Sequence, residues 1–160
     1  MRQILPAEER HIPDLLRLLR QINMIHHLGR PDLFKGPATK YSEAELKALL
    51  SSAVSRIFVC EEGDLVLGYA ICELKEIPET ALLHARKELY LDDLCVDEPF
   101  RGQGIGHLLF ERVRAEAAVL GCHHLNLTVW SLNPSARRFY EACGMLPLKT
   151  TMELRLDPKE

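Results

Sequence analysis

A glycine-rich segment stands between an alternating apolar stretch and a helix-like stretch, and this arrangement most constrains how the chain can fold. Residues 89–96 alternate in the manner of a β-strand. The segment Arg101-Gly102-Gln103-Gly104-Ile105-Gly106 follows, and apolar residues then recur at helical spacing as far as Gly121. A strand, a tight turn and a helix in this order predict a protein that mixes α and β structure.

Two helices are predicted before this segment. The first has an apolar stripe over residues 12–25, Pro13 in its first turn and an end near Gly29, where we expect a left-handed cap. Ser42 and Glu45 have the spacing of a capping box and predict the start of a second, shorter helix.

The remaining pattern completes a mixed sheet. A turn at Gly63 joins two strands into a hairpin, and Asn133-Pro134 predict the start of a helix that runs to Ala142. Strand-like alternation occurs in residues 2–5, 56–60, 65–74, 125–130 and 145–156, the last forming one or two strands around Pro147. The predicted order is β, α, α, β, β, β, α, β, α, β.

The composition fits one globular domain that spans residues 1–160. With 47% hydrophobic and 27% charged residues the chain has enough apolar surface for a core, and no apolar run approaches the roughly 18 residues that span a bilayer. The net charge of −3 provides no field for nucleic acid. We therefore expect neither a membrane nor a nucleic acid as partner.

The first residues and the cysteines predict a cytoplasmic protein. Residues 1–6 lack the apolar core of a signal peptide. The five cysteines are an odd number, are widely spaced and include no CxxC pair, so we expect reduced, mostly buried thiols.

The glycine segment has the character of an anion-binding loop. Backbone N–H groups at the start of a helix are unpaired, and a phosphate can approach them closely where glycines leave space. The spacing does not match a dinucleotide-binding GxGxxG, because the third glycine falls one residue early, before His107. No Gly-Lys-Ser/Thr follows, so a P-loop is excluded as well.

The pattern Arg-x-x-Gly-x-Gly after a strand resembles the acyl-CoA pyrophosphate loop of the GNAT superfamily of N-acetyltransferases. Residues 89–101 resemble the superfamily's fourth strand and its continuation into this loop. Asn133-Pro134-Ser135-Ala136 and the run from Phe139 to Met145 resemble its second motif, with Met145 in place of the usual Phe.

The resemblance implies the GNAT fold, a mixed central sheet with parallel, splayed strands 4 and 5 and helices on both faces. Acetyl-CoA would be the co-substrate and would lie between residues 89–96 and 125–130, with one backbone N–H of residues 94–95 donating to the thioester oxygen. The cofactor-binding residues implied in this way are Leu94, Cys95, Val96, Arg101, Gly102, Gln103, Gly104, Ile105, Gly106, His107 and Asn133.

The chemistry requires a base and an acid. An amine attacks only when it is neutral, so a group must accept its proton. Resemblance to diamine acetyltransferases, whose strand reads Tyr-Leu-Glu-Asp, makes Asp92 the candidate base, acting through a water. Asp93 is expected to point to the opposite face of the strand unless a bulge exchanges the two. Tyr140 stands at the superfamily's position for the general acid, with packing in the core as the alternative.

The acceptor pocket is expected around residues 24–40, because the first two helices and their connection shape it in this family. The expected acceptor contacts are His27, Arg30, Asp32, Phe34 and Asp93, although Arg30 and Asp32 can instead pair with each other. The aspartates favour a cationic amine, either a small molecule or a peptide. No metal is expected, since the histidine pairs at 26–27 and 123–124 have side chains that point apart.

The resemblance thus predicts direct transfer of an acetyl group to a primary amine by a protein that is a homodimer, as many of its relatives are. Two alternatives remain at this stage. A protein or peptide N-terminal acetyltransferase would need an open groove, and a non-catalytic CoA-binding regulator would be insensitive to loss of the Tyr140 hydroxyl.

Overall fold

Five strands and four helices form the protein in its computed structural model, which describes residues 1–156. The strands are β1 (Arg2–Pro6), β2 (Ser55–Glu62), β3 (Leu65–Ile77), β4 (Arg86–Val96) and β5 (His124–Asn126). The helices are α1 (Ile12–Gly29), α2 (Glu43–Ser51), α3 (Ile105–Val119) and α4 (Pro134–Ala142), with 3₁₀ turns at Glu9–His11 and Glu98–Phe100. In residues 1–156 no helix has both the length and the apolar character needed to cross a membrane.

The strands form one sheet in chain order from β1 to β5. Neighbouring strands from β1 to β4 are antiparallel, whereas β4 and β5 are parallel. The parallel pairing is short, because it runs only from Glu88 opposite His124 to Tyr90 opposite Asn126. The predicted mixed sheet with parallel strands 4 and 5 is confirmed.

Helices cover both faces of the sheet, as predicted. On one face α1 and α2 pack against β2 and β3 in a core that includes Leu15, Leu46 and Tyr69. On the other face α3 packs through Leu109 and Phe110, and the residues of α4 extend the same core. Each face is therefore closed by two helices, and both cores depend on the same central strands.

Local signals in the sequence set several element ends correctly. The Ser42 hydroxyl accepts from the N–H of Glu45, and the Glu45 carboxylate accepts from the N–H of Ser42, each at 3.1 Å. Gly63 turns the hairpin between β2 and β3 with a φ of +63°, a conformation that favours glycine. The capping box and the hairpin are confirmed.

The predicted end of α1 near Gly29 is confirmed, but the predicted left-handed cap there and two predicted strands are wrong. Gly29 has no left-handed conformation; it is the last residue of α1, and a Cβ there would lie 3.0 Å from Leu132. β5 ends at Asn126 rather than near residue 130, because its pairing with β4 ends at Tyr90 opposite Asn126. Residues 145–156 contain no strand, since no neighbouring strand pairs with them within the described chain.

Candidate active site

A cleft opens where β4 and β5 separate. Beyond Tyr90 and Asn126, residues 91–96 of β4 have no strand partner on the β5 side within the described chain. The separation leads into a cavity of about 60 Å³. Its lining includes Asp92, Asp93, Leu94, Trp130, Asn133 and Tyr140. The cleft therefore brings the predicted base, the predicted acid and the cofactor strand together.

A β-bulge in β4 controls where the two aspartates point. Residues 71–72 of β3 pair with Asp93 and Leu91, which leaves Asp92 as the extra residue of the bulge. Leu91 and Leu94 both pack in the core on the α3 side, so the alternation reverses across the bulge. Asp92 and Asp93 consequently face the α1 and α2 side together. The expectation that Asp93 points to the opposite face is wrong, and the bulge is the reason.

Asp93 is a half-buried carboxylate that receives a hydrogen bond. The Tyr69 hydroxyl donates to its Oδ2 at 2.8 Å. Burial raises the pKa of Asp93 to about 6, although the Tyr69 hydrogen bond and the Lys40 charge both act to lower it. Asp93 therefore gains or loses its charge close to neutral pH.

Asp92 is engaged by two side chains from the segment that precedes α2. The Lys40 Nζ lies 2.9 Å from its Oδ1, and the Tyr41 hydroxyl donates to its Oδ2. Burial, helped by the Asp92 carboxylate, raises the pKa of Tyr41. Asp92 also borders a second cavity of about 200 Å³ whose lining includes Glu73. This side of the cleft is therefore rich in carboxylates, with Lys40 as a counter-charge.

The glycine loop begins α3 without a side-chain cap. Gly104 is the residue that precedes the helix, with a φ of +81°, and no side chain of residues 1–156 caps the start of α3. A Cβ at Gly102 or Gly104 would meet nothing within 4 Å, so the space above the loop is open. Gly106 differs, because a Cβ there would lie 3.2 Å from the Phe139 ring. Its lack of a side chain serves the packing of α3 against α4.

Two side chains of the same loop form hydrogen bonds with neighbouring elements of the fold. The Arg101 guanidinium donates to the carbonyl of Val96 at 3.0 Å and to Gln21 of α1 at 3.2 Å. Gln103 accepts a hydrogen bond from Arg2 of β1. These two predicted cofactor residues therefore anchor the loop to β4, α1 and β1.

α4 carries the predicted acid. Asn133 begins this helix, and its side-chain oxygen accepts from the N–H of Ala136 at 3.3 Å. Tyr140 lies on the inner side of α4 with its ring centre 6.3 Å from that of Phe110. Burial raises the pKa of Tyr140, so its hydroxyl keeps its proton at neutral pH.

The predicted acceptor residues separate into two groups. The ring of Phe34 packs against His26 and Trp130, at 4.9 Å and 5.0 Å between ring centres, and this aromatic cluster borders the cleft. His27 instead holds the backbone of its own loop, with Nδ1 2.7 Å from the carbonyl of Phe34.

Arg30 and Asp32 pair with each other, the alternative that the sequence left open. The Arg30 Nη2 lies 2.7 Å from the Asp32 Oδ2, and hydrogen bonding from Arg30 lowers the pKa of Asp32 to about 2. Both residues also contact residues 153–155 of the same chain. Their charges are therefore satisfied within the protein.

Comparison with known proteins identifies the family. The sequence profile described as the acetyltransferase (GNAT) family matches residues 22–145. The chain belongs to the GNAT family of acetyltransferases. It is an acetyl-CoA-dependent acyltransferase, and its relatives include proteins named N-acetyltransferases.

Individual relatives agree with this assignment. The chain is 26% identical over 152 residues to thialysine N-epsilon-acetyltransferase of Mus musculus, covering 89% of this chain and 82% of the mouse protein. A tetramutant of the BH1408 protein of Bacillus halodurans has a TM-score of 0.92 and 31% identity, covering 96% and 99% of the two chains. The aminoglycoside N-acetyltransferase AAC(6')-Iy in complex with CoA shares the fold, with a TM-score of 0.73 and 14% identity, covering 98% and 95%.

The GNAT site has the features that acetyl-CoA requires. The separated edge of β4 leaves backbone groups at Leu94 and Cys95 open to bonding by an extended ligand, whereas the Val96 carbonyl already accepts from Arg101. The uncapped start of α3, with open space above Gly102 and Gly104, suits a pyrophosphate. The residues present therefore fit the co-substrate that the family uses.

Cys95 lies on this strand but is unsuited to act as a nucleophile. Its side chain is buried against α1, with Sγ 3.8 Å from the carbonyl of Leu18. Burial raises the pKa of Cys95 to about 12, so the thiolate is scarce at neutral pH. Only its backbone is available to the co-substrate.

Two side chains of this GNAT site were not predicted from the sequence, namely Tyr41, which binds Asp92, and Trp130, which packs against Phe34. Lys40 and His26 lie in the segment where the acceptor pocket was expected, but their contacts with Asp92 and Phe34 were not predicted. The available signal for Trp130 was that the single tryptophan of the sequence is the last residue of the predicted strand 125–130. The contact of Lys40 with Asp92 has no signal in the sequence, because 52 positions separate the two residues.

Proposed function

We propose that this enzyme transfers the acetyl group of acetyl-CoA to the primary amine of a small cationic acceptor, by direct attack in a ternary complex. The observation that carries the proposal is the shared cleft, in which Asp92, Asp93 and Tyr140 line one cavity beside the open edge of β4. A base, a second negative charge and an acid at one point are what aminolysis of a thioester needs.

The two aspartates attract and deprotonate the acceptor amine. A cationic acceptor must lose a proton before its nitrogen can attack, and Asp92 accepts this proton through a bridging water. Asp92 already binds one alkylammonium group, that of Lys40, whose Nζ lies 2.9 Å from its Oδ1. This contact supports binding of an alkylammonium acceptor by the same carboxylate. Asp93 adds a neighbouring charge that attracts the acceptor when it is ionised.

Tyr140 protonates the sulfur of the departing CoA. Acetyl-CoA supplies an acetyl group activated as a thioester, whose departing sulfur needs a proton if the reverse attack is to be prevented. The raised pKa of Tyr140 keeps a proton on its hydroxyl. A backbone N–H of Leu94 or Cys95 donates to the carbonyl oxygen as that oxygen gains charge.

The acceptor class is a cationic amine. Three carboxylates, those of Glu73, Asp92 and Asp93, border the two adjoining cavities. The aromatic faces of Phe34 and Trp130 attract a cation in addition. The relative named thialysine N-epsilon-acetyltransferase acts on such an amine by its name, which supports the same class for this chain.

Further expectations stand beside this proposal. We propose that residues 1–160 act as one domain, since both faces of a single sheet are covered within one chain. The unpaired state of all five cysteines supports a reducing, cytoplasmic location.

The test combines binding, turnover and one hydroxyl deletion. We expect acetyl-CoA to raise the melting temperature and CoA release to be fastest with small cationic amines in a panel that also includes N-terminal peptides. Tyr140→Phe should lower kcat by about 10²-fold or more while leaving acetyl-CoA affinity unchanged, because only the acid is lost. Tyr90→Phe, which removes a hydroxyl bonded to Thr128 at 3.0 Å, is the matched control.

Each other outcome has a definite meaning. Peptides as the leading acceptors would establish the N-terminal acetyltransferase alternative. Binding of acetyl-CoA with no turnover of any amine would establish a CoA-binding regulator. Equal effects of Tyr140→Phe and Tyr90→Phe would remove the assignment of Tyr140 as the acid.

A further inference from the structure

Lys40 places a primary amine of the chain itself at the candidate active site. It lies between α1 and α2, where residues 30–42 form neither a helix nor a strand. The Lys40 Nζ is 2.9 Å from the Asp92 Oδ1, and Asp92 lines the same cavity as Asp93 and Tyr140. An alkylammonium group of the protein therefore contacts the carboxylate that we propose as the base.

Lys40 also acts on other side chains of the cleft. Burial lowers the pKa of His26, and the Lys40 charge lowers it further. The same charge acts to lower the pKa of Asp93, against the larger effect of burial. His26 and Asp93 both line the cavity in the cleft. The Lys40 ammonium is therefore close to the cavity itself as well as to Asp92.

Lys47 provides a comparison within the same chain. It belongs to α2, and its Nζ lies 3.6 Å from the carboxylate of Glu43, one turn earlier on that helix. The two lysine side chains are similarly exposed, 48% for Lys40 and 51% for Lys47. Exposure alone would therefore give the two amines the same reactivity toward acetyl-CoA in solution. Of the two, only Lys40 contacts Asp92.

We propose that Lys40 is an internal acceptor, so that in the absence of an amine substrate the enzyme acetylates the Lys40 Nζ of its own chain. The inference rests on the proposed function, because it uses the same base, the same acid and the same co-substrate. Asp92 holds the Lys40 ammonium where an alkylammonium acceptor is to bind. The flexible four-carbon stem of lysine lets the Nζ turn from Asp92 toward the thioester.

The transfer is the proposed reaction with a tethered amine. The Lys40 ammonium gives a proton to Asp92, and the nitrogen lone pair then attacks the thioester carbon. The C–N bond forms, the C–S bond breaks, and Tyr140 gives its proton to the departing sulfur. Asp92 releases the first proton to solvent, and a second proton from the nitrogen restores the Tyr140 hydroxyl through water. The products are N-ε-acetyl-Lys40, CoA and one proton.

A tethered acceptor of this kind reacts once. The chain holds the amine beside Asp92, which gives it a high effective concentration there. The amide that forms has no positive charge and no longer pairs with the carboxylate as an ammonium does. The modification therefore stops at one acetyl group on Lys40 and leaves Asp92 free for an acceptor from solution.

The rate of acetylation at two lysines provides the test. The purified protein is incubated with saturating acetyl-CoA and no added amine, and acetyl groups are located by mass spectrometry of proteolytic peptides. We expect Lys40 to be acetylated about 10²-fold faster than Lys47, because the base and the acid act on Lys40 alone. In urea-unfolded protein the two rates should be equal. Lys40→Arg keeps a positive charge beside Asp92 and should abolish the fast incorporation, whereas Lys47→Arg should leave it unchanged.

The dependence on protein concentration tests whether the amine and the site belong to one molecule. The rate per chain should stay constant between about 1 and 100 µM protein. A rate that rises in proportion to the protein concentration overturns transfer within the chain. Equal rates at Lys40 and Lys47 in the folded protein overturn the proposal as well.

CoA release with the amine panel, measured on the same preparation, separates this inference from the proposed function. Turnover of an amine by protein whose Lys40 stays unmodified in the absence of that amine overturns the inference alone. If neither an amine nor Lys40 is acetylated, the proposed function and the inference both fail.

Discussion

Asp92 and Asp93 are adjacent in the chain but have different surroundings. Asp92 is contacted by the Lys40 ammonium and the Tyr41 hydroxyl, whereas Asp93 is contacted by the Tyr69 hydroxyl. Burial penalises the charged form of Asp93, and its pKa rises to about 6. The two carboxylates are therefore expected to respond differently to substitution.

Asp93→Asn should stabilise the protein at high pH. The pKa of Asp93 is higher in the fold than the about 3.9 of an unfolded chain, so its contribution to stability is full below pH 4 and is lost as the pH rises through 6. Asn keeps an acceptor for Tyr69 without a charge. We expect the free energy of unfolding of the variant to be higher than that of the parent by up to about 3 kcal/mol at pH 8, and to be nearly equal to it at pH 4.

Urea unfolding at pH 4, 6 and 8 measures this difference. Asp92→Asn is the control, because it removes a carboxylate that Lys40 and Tyr41 contact and should bring no stabilisation. A gain from Asp93→Asn that does not depend on pH would show that the charge of Asp93 is not its source.

At the scale of elements, Gly104 is expected to affect both the stability of the turn before α3 and the binding of acetyl-CoA. Gly104→Ala places a Cβ at a φ of +81°, which costs about 1–2 kcal/mol. Gly63→Ala imposes the same cost at a φ of +63° in the distant β2–β3 hairpin, and neither Cβ meets another atom within 4 Å. We expect similar losses of stability, but an acetyl-CoA affinity reduced about tenfold only in Gly104→Ala.

Calorimetric titration of both variants with acetyl-CoA separates strain from binding. If Gly63→Ala weakened the affinity as much as Gly104→Ala, the loop at the start of α3 would have no special part in binding.

The start of α4 allows a second separation of roles. Asn133→Ala removes the acceptor for the N–H of Ala136 and should cost about 1 kcal/mol of stability, whereas Asn133→Ser keeps a cap. If Asn133 also binds the pantetheine arm, both variants lose acetyl-CoA affinity and only Asn133→Ala loses stability. Thermal melts and acetyl-CoA titrations of the two variants test this. If acetyl-CoA affinity falls in Asn133→Ala but not in Asn133→Ser, Asn133 acts only as a helix cap.

At the scale of the whole molecule, Asp97 connects α1 to the end of β4. Its carboxylate accepts from Arg17 at 2.7 Å and from Gln21 at 3.0 Å, and it is almost fully buried. Burial by itself would raise the pKa of Asp97, but the hydrogen bonds from Gln21 and Arg17 outweigh it and lower the pKa. Gln21 also contacts Arg101, so this group links the helix, the strand and the glycine loop.

Asp97→Asn should therefore destabilise the fold by about 1–3 kcal/mol at pH 7. Because the pKa of Asp97 is lowered in the fold, its contribution is present above about pH 4 and is lost as the pH falls further. The difference from the parent, measured by denaturant unfolding, should shrink at pH 3. Asp64→Asn in the exposed hairpin turn is the control, and an equal loss there would contradict the assignment.

Features that depend on neighbours in the chain were predictable from the sequence. The capping box at Ser42, the turn at Gly63 and the cap at Asn133 each involve residues within three positions of one another. The glycine loop and the α4 motif were recognisable for the same reason. Backbone conformation and short-range hydrogen bonds are properties of local sequence, so local sequence was enough to predict the fold class and the glycine loop at the start of α3.

Features that depend on distant residues were decided only in the tertiary structure. The bulge that turns Asp92 and Asp93 to one face arises from the register between β3 and β4. The pairing of Lys40 with Asp92 and of Glu153 with Arg30 joins residues 52 and 123 positions apart. Residues 145–156 have the alternation of a strand, but a strand also needs a hydrogen-bonded neighbour, and no local pattern specifies where that neighbour is.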